Sequence, residues 1–147
     1  MLGRTPVRGR KGRPEARRGV ILSEVKFYRC RHCGNLVAVV EDAGPVPVCC
    51  GEPMELLVAG AKDAAAEKHV PDVTREGNVL RVRVGSVEHP MLPEHHIQWI
   101  AVACARRLQL AHLAPGEAPE AAFHVPAGVP VTVYEYCNLH GLWKAEA

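Results

Sequence analysis

Aromatic residues are scarce. Two Phe, two Trp and three Tyr make up 5% of the 147 residues, too few for a nucleic-acid surface built on base stacking. No run of 18 apolar residues is present, so no membrane-spanning helix is expected. The basic N-terminus has no apolar stretch behind it, so a secretory leader is not expected either. What is present is ordinary for globular protein: 48% apolar and 23% charged residues, which argues against wholesale disorder. The length fits one medium domain or two small ones.

The net charge of +2 hides an asymmetry. Up to Gly19 there are seven basic residues (Arg4, Arg8, Arg10, Lys11, Arg13, Arg17 and Arg18) against a single acid, Glu15. The remainder carries 11 basic and 15 acidic residues, so the body is mildly acidic. Residues 1–22 are also rich in Gly and Pro and lack apolar periodicity. They read as a disordered, solvated extension in preference to an arm for nucleic acid or an acidic partner.

Six cysteines occur, at 30, 33, 49, 50, 104 and 137. Without an export signal, and with two of them adjacent, a disulfide framework explains them poorly. Cys30-Arg-His-Cys33, followed after 15 residues by Cys49-Cys50, reads as a tetrathiolate metal site suited to zinc or iron. The second pair lacks a spacer, so its side chains must splay to reach one ion. The stretch from Val25 to about Val58 is too short to bury a core unaided. Its short apolar runs (Phe27-Tyr28, Leu36 to Val40, Val46 and Val48), separated by turn signals, predict a small metal-stapled β-unit. His32, between the first two cysteines, reads as an exposed loop residue.

The second half reads mostly as β. Asn78 to Val84 alternates, with Val79, Arg81 and Arg83 on one face and Leu80, Val82 and Val84 on the other. Pro130 to Tyr136 alternates through Val131, Val133 and Glu135. Several short strands with turn signals suggest a β-sandwich. Ile97 to Leu113 fits strand or helix on composition, and Cys104 within it reads as packed and inert. Ala61 to Lys68 has helical composition. Eight histidines is a high count. His69, His89, His95 and His96 sit beside turn residues, and Cys137-x-x-His140 is ligand spacing. A second metal site follows, in which imidazoles with one thiolate suit a redox metal. Spacing alone does not choose among the histidines. His112 and His124 have no partner motif and read as surface residues.

Phe27-Tyr28-Arg29-Cys30-Arg31-His32-Cys33-Gly34-Asn35 and Cys49-Cys50-Gly51-Glu52-Pro53-Met54 resemble the desulforedoxin half of desulfoferrodoxins, the two-iron superoxide reductases. Glu67-Lys68-His69-Val70-Pro71, His89-Pro90-Met91, His95 to Ile100 and Tyr136-Cys137-Asn138-Leu139-His140-Gly141 resemble the catalytic half. The resemblance runs from about Phe27 to Lys144. It implies a mainly β chain divided into the extension 1–22, a desulforedoxin-like unit 23–59 and an immunoglobulin-like β-sandwich 60–147. It resolves Ile97–Leu113 mainly as strand. It implies two irons per chain. One is held by Cys30, Cys33, Cys49 and Cys50, where zinc is the alternative. The other is held by His69, His89, His95, His140 and Cys137, with His96 left out. Lys68 and Glu67 would stand beside the open side of the second site. The implied activity is one-electron reduction of superoxide to hydrogen peroxide, by a cytoplasmic homodimer fed by a rubredoxin-like carrier or a reductase. The resemblance accounts for neither the extension nor Cys104.

Two rivals make different demands. A non-enzymatic electron carrier would use only the four-cysteine site and leave the histidines scattered. A zinc-ribbon nucleic-acid binder would use the basic arm and bind in a salt-dependent way.

Overall fold

In the computed structural model the described residues are 24–62 and 64–147. The basic segment read above as a disordered extension lies outside them. Strand β7 (Val79–Val84) does what its alternation predicts: Leu80, Val82 and Val84 are buried, while Arg81 and Arg83 are exposed. It pairs antiparallel with β6 (Pro71–Glu76) on one side and β10 (Glu120–His124) on the other. This gives a three-stranded sheet with one apolar face.

The ambiguous stretch forms a hairpin. Strands β8 (Ile97–Cys104) and β9 (Arg107–His112) pair through a two-residue turn, in which Ala105 takes a left-handed φ of 46°. Strands β11 (Val131–Cys137) and β12 (Gly141–Glu146) complete a second sheet, ordered β12-β11-β8-β9. The two sheets enclose one core. Leu80, Val82, Val84 and Phe123 come from the first, and Ile97, Ile100, Val102, Val131 and Val133 from the second. This is the expected sandwich. Cys104 is packed within it.

Strand β11 departs from the expected alternation, because all seven of its residues are buried. The reason lies on the outer face of its sheet. There Trp99, Ala101, Tyr134 and Tyr136 are covered by Val25, Phe27, Leu36 and Leu57 of the first fifty-odd residues. Those residues form short strands: β1 (Phe27–Arg29), β2 (Leu36–Ala38), β3 (Val48–Cys49), β4 (Glu52–Pro53) and β5 (Glu55–Leu56). Strand β1 pairs with β2 and β5, and β3 pairs with β4. So small a unit cannot fill its own core, and it borrows the outer face of the larger sheet. Phe27 is fully buried there, 5.0 Å from the Trp99 ring and 5.2 Å from that of Tyr134.

The stretch of helical composition forms a short turn at the first histidine, α1 (Ala66–His69). Pro71 excludes helical backbone at Val70, which is extended.

Truncating Phe27 to Ala leaves a cavity under both units. The expected loss is about 3–5 kcal/mol of unfolding free energy, measured by denaturant unfolding at constant metal loading.

Candidate metal centres

Five candidate ligands come from chain segments that end at one end of the sandwich. The register pairs Pro71 with Val84 in one sheet, and Cys137 with both Ile97 and Gly141 in the other. His69 closes α1 just before β6, His89 follows β7, and His95 precedes β8. Cys137 ends β11, and His140 sits in the turn to β12. A bulge at Gln98 places Ile97 opposite Cys137, and both enter the sandwich core. Such bulges re-aim side chains beside sites.

The donor atoms of His69, His89, Cys137 and His140 all lie within 4.8 Å of one another. His95 flanks this group, its ring 4.7 Å from that of His89 and 4.9 Å from that of His140. The rings of His69 and His89 are 4.6 Å apart, and those of His69 and His140 4.8 Å, all roughly edge to face. Burial is the main reason that the pKa values of His69 and His89 fall to about 4, and neighbouring imidazoles add to it. His95 is lowered for the same reasons. These imidazoles are therefore neutral donors at neutral pH, the form a metal requires.

Hydrogen bonds fix which nitrogen each ring offers. His89 Nδ1 donates to the carbonyl of Pro90 at 2.6 Å, and His69 Nδ1 is hydrogen-bonded to Glu135 Oε1 at 3.2 Å. Both rings therefore present Nε2. His140 instead turns Nδ1 toward Cys137 Sγ, 3.7 Å away. His89 Nε2 and His95 Nε2 are buried without a hydrogen-bond partner, a costly arrangement unless a ligand takes them. Burial raises the Cys137 thiol pKa, while the backbone N–H groups of His140 and Leu139 and the charge of Lys62 oppose that rise. A buried thiolate with neutral imidazoles fits a transition-metal ion such as iron.

Three surrounding residues were not singled out from sequence. Glu135 is wholly buried, and burial pushes its carboxyl pKa up to about 9. Its contact with His69 is thus a hydrogen bond between neutral groups, orienting the ring from behind. The available signal was an acid on the inward parity of an apolar strand. Trp143 stacks on His69 at 5.0 Å and 13°, and its indole N–H donates to the His140 carbonyl at 3.2 Å. Gly85, at φ 77°, abuts the α1 turn: a Cβ there would meet the carbonyl oxygens of Val87, Glu67 and Lys68 at 2.6–2.7 Å. The Val87 N–H donates to the Glu67 carbonyl at 3.0 Å.

Lys68 is half-buried and Glu67 exposed. The Lys68 charge acts to lower the pKa values of His69, His89 and His95. His96 lies apart from the cluster of rings, and its backbone N–H donates to Asn138 Oδ1 at 2.9 Å. His112 and His124 are exposed, as expected. His32 is exposed too, 3.0 Å from Glu52.

The second group is thiol-only. The sulfurs of Cys30, Cys33, Cys49 and Cys50 lie within 4.8 Å of one another, all as free thiols. The Cys30 N–H donates to the Asn35 carbonyl at 2.8 Å, and the Gly34 N–H to the Cys30 carbonyl at 3.1 Å, making the first tight turn. The adjacent pair splays because Cys50 adopts a left-handed φ of 52°, a conformation uncommon outside glycine. The backbone N–H of Cys33 leads the effects that lower the Cys30 pKa to about 6. Crowding by the other sulfurs, Cys33 first, pushes Cys50 up to about 12. Four thiolates coexist there only around a cation.

Comparison with known proteins gives a consistent result. The family described as desulfoferrodoxin matches residues 61–146, and that described as desulfoferrodoxin, N-terminal domain, matches residues 23–57. The chain is 48% identical over 125 residues to a desulfoferrodoxin of Nitratidesulfovibrio vulgaris, covering 85% of this chain and 98% of that one. It is 34% identical over 102 residues to a superoxide reductase of Pyrococcus horikoshii, covering 57% of this chain and 89% of that one. The crystal structure of the superoxide reductase from Treponema pallidum superposes with a TM-score of 0.69 at 35% identity, covering 83% of this chain and 97% of that chain.

Replacing Gly85 by Ala forces a Cβ against three carbonyls in a strained backbone. The expected cost is about 1–3 kcal/mol, read as a lower unfolding temperature. Hydrogen exchange at the Val87 amide should rise while β8 amides stay protected.

Proposed function

The chain belongs to the desulfoferrodoxin family, and from that premise we propose that it is a superoxide reductase whose reaction centre is held by His69, His89, His95, His140 and Cys137. The observation that carries this reading is the convergence of four imidazoles on one thiol, with the Nε2 atoms of His89 and His95 buried and unpartnered. The net reaction takes one superoxide, one electron and two protons to hydrogen peroxide. Iron bound at this centre supplies the electron, and a thiolate ligand strengthens its donation.

The protein's own groups do the rest. Neutral imidazoles hold the metal without cancelling its charge, and Cys137 contributes one negative charge. Glu135 and Trp143 keep His69 in place. The Lys68 ammonium draws the superoxide anion toward the histidines. Glu67, on the same helical turn, would place a carboxylate at the open side of the site. Cys30, Cys33, Cys49 and Cys50 would hold the second iron, whose part would be to store or relay an electron from a rubredoxin-like carrier or a reductase. The family's usual state supports a homodimer, and the chain is read as cytoplasmic. Among the described residues no helix is long and apolar enough to cross a membrane.

The scattering demanded by a pure electron carrier is not what the histidines do. A visible spectrum of anaerobically reduced protein, taken before and after stoichiometric superoxide, tests the function. A new ferric–thiolate band with peroxide formed and no dioxygen released is expected. Iron present without superoxide consumption would leave only an electron carrier.

Cys137→Ser and His140→Ala are each expected to abolish superoxide reduction while the four-cysteine centre keeps its metal. Normal turnover in either would refute the ligand assignment. Lys68→Ala is expected to retain iron but slow the reaction of the reduced protein with superoxide, most visibly at low ionic strength. A rate equal to wild type there would remove Lys68 from the anion's approach.

A further inference from the structure

A second lysine approaches the centre from the stretch between the small unit and α1. Lys62 Nζ donates to the carbonyl of Leu139 at 3.1 Å. Its methylenes lie over Gly141, where a Cβ would meet Lys62 Cδ at 3.5 Å and Cε at 3.6 Å. Leu139 and Gly141 flank His140, so one side chain clasps the turn carrying that ligand on both sides. The start of the stretch is anchored too, since the Gly60 N–H donates to the Leu142 carbonyl at 2.8 Å. Among the described residues no carboxylate lies within ion-pairing distance of Lys62. Its ammonium is held instead at the backbone of the turn that carries Cys137 and His140.

We propose that Lys62 is a positioning residue of the His/Cys centre whose fixed charge, held against the Cys137–His140 turn, raises the reduction potential of that centre. The proposal rests on the assignment of an iron to these ligands. The physical argument is short. Reduction adds an electron to the centre, and a nearby cation favours the form with more negative charge. It also stabilises charge on the thiolate sulfur, so the sulfur donates less to the metal. Because Lys62 is exposed, water and salt screen its effect.

The test is an anaerobic redox titration of the full-length, two-iron protein, wild type beside Lys62→Arg, Lys62→Met and Lys62→Glu. The ferric–thiolate absorption is the readout, and the four-cysteine centre of the same chain is the internal reference. Lys62→Met is expected to lower the potential of the His/Cys centre, and Lys62→Glu to lower it further. Lys62→Arg should hold it near wild type, with the four-cysteine potential unchanged throughout. The gap between wild type and Lys62→Met should narrow as salt is added. Equal potentials in wild type, Lys62→Met and Lys62→Glu would overturn the proposal, as would parallel shifts at both centres. A wild-type protein with no ferric–thiolate transition beyond that of the four-cysteine centre would overturn the iron assignment itself, and this proposal with it.

Discussion

Strand β11 is buried along all seven residues, and the molecule is arranged around that burial. Its backbone is paired on both edges, to β8 and β12. Val131, Val133 and Cys137 face the sandwich core. Tyr134 and Tyr136 face the other way, onto a layer closed by Phe27, Trp99 and Leu142. Most of the polar side chains on this strand find partners, as buried groups usually do, while Glu135 Oε2 is left without one. Thr132 donates to Glu146 at 2.9 Å, the Tyr134 hydroxyl accepts the Val25 N–H at 3.0 Å, and Glu135 Oε1 is hydrogen-bonded to His69. The small cysteine unit is thus a cover as well as a metal site. Without it, Trp99, Ala101, Tyr134 and Tyr136 would form an exposed apolar patch of the kind that soluble proteins rarely leave bare.

The same strand sets the electrostatics where it ends. The dry core continues to Cys137, so the groups gathered there are desolvated, and each responds by favouring its neutral form. His69 and His89 lose their protons, whereas Glu135 keeps its own. A bound thiolate is then the one anionic ligand in a set of neutral ones, which is what a cation must satisfy. The four-cysteine group works by the opposite rule. Cys33 and Cys50 are exposed there, and backbone N–H groups of the first turn lower the Cys30 pKa. One centre is defined by burial and the other by a turn.

What was legible in sequence follows this division. The thiol site could be read because its ligands lie within 21 residues of chain and its turns are local, down to Gly34 after Cys33. Strand β7 could be read because only one of its faces is buried. Strand β11 could not, because the cover on its outer face comes from residues about a hundred positions earlier. The histidine ligands could be counted but not chosen from spacing, since His69, His89, His95 and His140 meet only through the sheet register. Family resemblance named them, and the folded chain brings those four rings together while His96 stays outside. Glu135, Trp143, Gly85 and Lys62 escaped for one reason. Each acts through a contact that neither its neighbours in sequence nor its own chemistry announces.

The exposure of the ligands also shows how a dry centre meets a charged substrate. His69, His89 and Cys137 are buried, whereas His95 and His140 are half-buried. The cluster therefore has a sealed side, backed by Glu135 and Trp143, and a side graded toward solvent. Lys68 is half-buried and Glu67 exposed on a single helical turn, so a cation and a carboxylate are carried together. That turn has only four residues and no side-chain cap, too short to hold itself by helical hydrogen bonding. Its position is imposed from outside, by the Gly85–Val87 segment pressed against its carbonyls. Lys68 thus carries its charge at a place set by backbone contacts, beside a ligand cluster whose buried side is backed by Glu135 and Trp143.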